Sequence, residues 1–122
     1  MALAKDIMGG GTSAGQAKAI NGNVKTSISA AGTTISDATQ LDTTVNVLGT
    51  VASGAGVKLF NGEISDDLWV YNGGANQVVI YPHSTSGIIN QLSAGTGVTL
   101  AQYGTMRFKR VTSTRWIAML SA

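Results

Sequence analysis

From Thr33 onward, turn signals return about every 8–12 residues, and this spacing constrains the fold more than any other feature of the chain. Thr43–Val51 alternates loosely and reads as a strand. Gly56–Phe60 reads as a second, closed by Asn61-Gly62, a tight-turn dipeptide. Asp67–Tyr71 and Gln77–Tyr81 are the clearest strands, and Asn72-Gly73-Gly74-Ala75-Asn76 between them reads as a hairpin loop. Pro82, the only proline, ends the second of these because it has no N–H to give to a ladder. Gly87–Leu92 is a short apolar piece, and Gly97–Ala101, Thr105–Val111 and Arg115–Leu120 are the last strands, with Thr112-Ser113-Thr114 turning a final hairpin. Glycine supplies 16 of the 122 residues, roughly double its usual ~7% share, as many tight turns require. The expected fold is all-β: a compact antiparallel β-sandwich or jelly-roll-like barrel over residues 33–122. Residues 1–32, rich in Gly, Ala, Ser and Thr, read as an extended N-terminal arm. Met1–Met8 and Ala14–Ile20 are too short to be stable helices alone.

The strands carry apolar residues on both faces. In Thr105–Val111, Met106 and Phe108 point one way and Arg107 and Lys109 the other, as in a half-buried strand. Elsewhere Leu68 and Val70 oppose Trp69 and Tyr71, Val78 and Ile80 oppose Val79 and Tyr81, and Trp116, Ala118 and Leu120 oppose Ile117 and Met119. An antiparallel sheet with one wet face alternates more cleanly than this. A small domain has limited means to cover both faces, so the expectation is a homo-oligomer, most simply a trimer, with Trp69, Tyr71, Val79, Tyr81, Ile117 and Met119 at its interface.

Charge is scarce and uneven. Only 11% of residues are charged, against roughly a quarter in an average domain. Residues 1–67 hold four Lys and all six acids, net −2, whereas residues 68–122 hold only Arg107, Lys109, Arg110 and Arg115, net +4. A net charge of +2 falls short of the dense basic face of nucleic-acid binders, so the cations of the last hairpin read as docking groups for an acidic protein surface. There is no Cys, the first eight residues show no uninterrupted apolar run of a signal peptide, and no stretch approaches the ~20 apolar residues of a membrane span. No membrane association and a cytoplasmic origin are expected.

The catalytic inventory is thin. Gly11-Thr12-Ser13-Ala14-Gly15 matches G-x-S-x-G, with Asp37 and His83 following in hydrolase order, but no strand precedes Gly11. Gly10–Ala17 has Gln16 and Ala17 where a phosphate loop needs Lys and Ser/Thr. His83 is the only histidine and reads as a loop residue without metal partners. Asp66 and Asp67 are adjacent, so a strand would point them apart. Neither an enzyme nor a metal or cofactor is expected. Trp69, Tyr71, Tyr81 and Tyr103 leave a sugar-binding groove as the alternative.

The run Leu68-Trp-Val-Tyr-Asn-Gly-Gly-Ala-Asn-Gln-Val-Val-Ile-Tyr-Pro82 resembles a pattern of small structural proteins of tailed bacteriophages. Gly87-Ile88, Gly97-Val98-Thr99-Leu100, Met106-Arg107-Phe108 and Ser113-Thr114-Arg115-Trp116 continue the resemblance, and Asp37–Leu41 fits its lead-in, so that it spans about residues 35–120. The resemblance implies a virion protein. The chain is short and without repeats, which points to a head decoration (cement) protein rather than a fibre. It would bind the major capsid protein on the capsid exterior after assembly in the host cytoplasm. Lys5, Ile7 and Met8 of the arm and Arg107, Lys109, Arg110 and Arg115 of the last hairpin would dock it. The alternative is a carbohydrate-binding or adhesion module of a tail spike or fibre.

Overall fold

The structure is a computed structural model that describes residues 23–121. Lys5, Ile7, Met8 and both glycine-rich motifs lie outside the described residues. The described residues form ten strands in chain order: β1 Val24–Ala30, β2 Thr39–Gln40, β3 Val45–Val51, β4 Gly56–Lys58, β5 Asp67–Asn72, β6 Val78–Tyr81, β7 Ile88–Ile89, β8 Val98–Leu100, β9 Thr105–Arg110 and β10 Arg115–Ser121. They make a six-stranded sheet, in the order β1-β3-β5-β9-β10-β7, and a four-stranded sheet, in the order β2-β4-β6-β8. The all-β class expected from the turn spacing is what these residues adopt.

The expected antiparallel arrangement is not. The first six strands alternate between the sheets, and β1, β3 and β5 run parallel, as do β2, β4 and β6. Three successive coils therefore stack on one another, each giving one strand to each sheet, in a solenoid-like arrangement. Antiparallel pairing enters where β9 returns along β5, β8 along β6, and β10 along β9. Thr112–Thr114 does turn the β9–β10 hairpin, as expected. Asn72–Asn76 turns no hairpin, because β5 and β6 belong to different sheets. Nor does Asn61-Gly62, which lies between β4 and β5.

The Asn72–Asn76 segment is a corner of the third coil, and its side chains show why. Asn72 is fully buried; its Nδ2 donates to Asn76 O at 2.9 Å and to Leu100 O at 3.0 Å, while Oδ1 accepts from Gly74 N at 3.0 Å. Gly73 N donates to Leu48 O and Asn76 Nδ2 to Val51 O, tying the corner to the coil before it. A Cβ at Gly74 would stand 2.6 Å from Val51 Cγ2 and 2.7 Å from Val51 N, so only glycine lets the coils close up there.

The core lies between the sheets. Leu48, Leu68, Val70, Phe108 and Trp116 face inward from the larger sheet, and Val57, Val78, Ile80 and Leu100 from the smaller, all essentially inaccessible to water. The expected boundary at residue 32 moves back: β1 is an edge strand of the larger sheet, with Ile28 and Ala30 buried in the core.

Candidate functional site

The larger sheet buries one face and leaves the other open. Residues in direct register across neighbouring strands share a face. The register aligns Val24, Val45, Trp69, Arg107 and Met119 in one row across β1, β3, β5, β9 and β10. Asp67, Lys109 and Ile117 form the next row, and Val47, Tyr71 and Thr105 lie on the other side. Trp69 is 39% exposed, Ile117 36% and Met119 48%, although they sit on the same strands as the fully buried Leu68 and Trp116. A shallow depression of about 190 Å³ on this ribbon is lined by Trp69, Thr105, Arg107, Met119 and Leu120. That is below the roughly 300–1,000 Å³ of a small-molecule site.

The charges on this face satisfy one another. Arg107 Nε and one terminal nitrogen donate to the two Asp67 oxygens, each at 3.2 Å, in a fork-to-fork pair. The same guanidinium lies 5.2 Å from the Trp69 ring centre, a cation–π contact. Lys109 Nζ donates to Ser65 O at 2.6 Å and to Asp67 Oδ2 at 3.5 Å. Partial burial pulls the Asp67 pKa up, but the Arg107 hydrogen bonds and charge and the Lys109 charge outweigh it, holding the carboxyl below its ordinary 3.8.

Of the residues proposed for an oligomer interface, Trp69, Tyr71, Ile117 and Met119 come together on this face. Val79 and Tyr81 do not: they lie on β6 in the smaller sheet. There the glycines let the chain cover itself. A Cβ at Gly56 would meet the Tyr81 ring at 2.7 Å, one at Gly97 would meet Val79 Cγ1 at 2.6 Å, and the Tyr81 hydroxyl donates to Thr33 O at 3.0 Å.

The cations proposed for docking divide as well. Arg107 and Lys109 stand beside Trp69 with Asp67 between them, so these two docking cations and the residues read for self-association share one face. Arg110 is not a surface group at all; it is 5% exposed and faces inward with Met106 and Phe108. Its guanidinium donates to Asn61 Oδ1 at 3.0 Å, Gly62 O at 2.8 Å, Thr112 O at 3.4 Å and Ser113 O, and lies 5.8 Å from the Trp116 ring. The alternation that points Met106 and Phe108 inward assigns Arg110 to the same side, a signal present in the sequence. Arg115 opens β10, half-buried, with its Nε buried and unpaired.

Trp69, Tyr71, Tyr81 and Tyr103 do not converge on one groove, since Tyr81 is on the smaller sheet and Tyr103 is in the β8–β9 turn. Among the described residues no three metal-ligating side chains converge. The chain matches no protein-family model, and no curated protein or solved structure is significantly similar to it.

Proposed function

We propose that this chain is a structural subunit of a tailed-phage virion, a head decoration protein that acts as a homo-oligomer on the capsid exterior and does no chemistry. The observation that carries the reading is the Trp69 face: exposed Trp69, Ile117 and Met119 around a self-paired Asp67–Arg107–Lys109 cluster. Apolar side chains flanking a self-paired charge cluster make a face that a second chain could cover without stranding an unpaired charge. The occupant is a sister copy. The face carries both signs, so two copies can exchange ion pairs, whereas a strongly acidic partner would find Arg107 and Lys109 already held by Asp67. The phage resemblance, which covers β2–β10, supplies the setting. Binding only to the assembled shell would stabilise that shell by mass action.

Native mass spectrometry and head co-sedimentation test the two parts. The expected results are a trimer at micromolar concentration and retention on isolated phage heads. A clean monomer removes the sister-copy reading, and failure to bind heads removes the decoration role. The sugar-binding alternative is disfavoured because Arg107 already stacks on Trp69 and the depression is small. Specific signals on a glycan array would restore it.

A further inference from the structure

At one end of the core three loops meet on a single buried cation. The Arg110 guanidinium reaches Asn61 and Gly62 in the segment after β4, and Thr112 and Ser113 in the β9–β10 turn. Its remaining contact is with the segment after β6, where its NH2 group lies 3.4 Å from His83 Nε2. On the other side of the imidazole, the indole N–H of the fully buried Trp116 donates to His83 Nδ1 at 3.0 Å. His83 thus stands between two donors. A neutral imidazole has one acceptor nitrogen and can serve one of them; a doubly protonated ring can serve neither. The short Trp116 contact fixes the neutral ring with its proton on Nε2.

We propose that His83 is an acid-sensitive latch: proton uptake breaks its bond to Trp116 and sets a second cation against Arg110, releasing the loops that Arg110 gathers. The groups around the ring give the imidazolium no compensation. From β9 it meets Arg110, from β10 the indole of Trp116, and from its own loop the close approach of Gly87. The carboxylates of the neighbouring segment are engaged elsewhere or exposed: Asp66 Oδ2 accepts from Glu63 N at 2.6 Å, and the Glu63 side chain lies in solvent. No carboxylate among the described residues is hydrogen-bonded to the imidazole. Partial burial, and then the charge of Arg110, accordingly hold the His83 pKa below its ordinary 6.5. Above that value the folded and unfolded chains are both neutral at this residue. As the pH falls below it, the unfolded chain binds a proton that the folded chain resists, so stability drops until the folded-state pKa is passed.

Two measurements test the latch. His83 is the only histidine and there are two tryptophans, so the ring carbon signals and the indole N–H signals are assignable by NMR in the intact chain. The expected result is a His83 titration below about pH 6.5, with the Trp116 indole N–H signal moving along the same curve and exchanging faster with water. An indole signal that ignores the histidine titration overturns the proposal. In urea, the unfolding midpoint of the native chain falls as the pH drops from about 6.5 to about 5, above the carboxylate range. It stays level over that range in His83→Asn, which keeps an acceptor near Trp116 but cannot titrate. An equal decline in the variant, or none in the native chain, also overturns it.

Discussion

The two faces of the β5–β9–β10 ribbon are made from the same strands and face opposite solvents. Inward, Leu68, Val70, Phe108 and Trp116 meet the smaller sheet and are wholly covered. Outward, Trp69, Ile117 and Met119 remain more than a third exposed. Folding is therefore driven by one side of the ribbon, and the other side is the one we propose for association. The smaller sheet solves the same problem differently. Glycines 56 and 97 let Tyr81 and Val79 lie down on their own chain, which covers part of this outer face. A run with apolar residues on both sides thus does not by itself mark an interface; the presence of nearby glycines decides whether the chain can shelter itself.

Substitutions on either face should separate these roles. Phe108→Ala on the inner side should cost about 3–5 kcal/mol in urea unfolding, because a fully buried ring leaves a cavity. A loss under about 1 kcal/mol would mean that the covered side is not what holds the domain together. Asn72→Ala at the third-coil corner should cost about 1–3 kcal/mol, since Leu100 O, Asn76 O and Gly74 N lose their partner. An unchanged midpoint would show that the corner is held by packing alone.

Outer-face changes should be milder for the fold. Asp67→Asn should cost at most about 1 kcal/mol near neutrality, because the pair with Arg107 is partly open to water. Its carboxyl is held below the ordinary 3.8, so the difference between native and variant should persist above that pH and shrink as the native carboxylate is protonated below it. Met119→Glu should move the monomer's stability by no more than about 0.5 kcal/mol and yet abolish self-association in sedimentation. An oligomer that survives Met119→Glu would place its interface elsewhere.

Much of the strand content was legible because it rests on local chemistry. Pro82 ends β6, Thr112–Thr114 turns the last hairpin, and the alternation of Leu68, Trp69, Val70 and Tyr71 assigns their sides correctly. The order of the strands was not legible. A glycine-rich break after a strand looks alike whether the chain turns back beside it or crosses to the opposite sheet. At Asn72 the choice is made by a bond to Leu100 O, 28 residues away. β1 escaped notice because only Ile28 and Ala30 of its seven residues are buried, which leaves a polar-looking run. The site was half legible. Trp69, Tyr71, Ile117 and Met119 follow from alternation, whereas the latch joins His83 to a tryptophan 33 positions later and to an arginine read as exposed.

Among the described residues β1 is paired on one side only, and an unpaired strand edge is a template for another chain. β1 carries a break in that template. Its pairing with β3 slips on either side of Ile28, and Ser27 adopts a left-handed backbone, φ 58°, rare for a residue with a side chain. A newcomer aligned with Val24 and Lys25 would be one residue out of step at Ile28 and back in step at Ser29, so its pairing would be interrupted at the kink. The kink at Ser27 and Ile28 thus interrupts the straight ladder that strand addition along this edge would need.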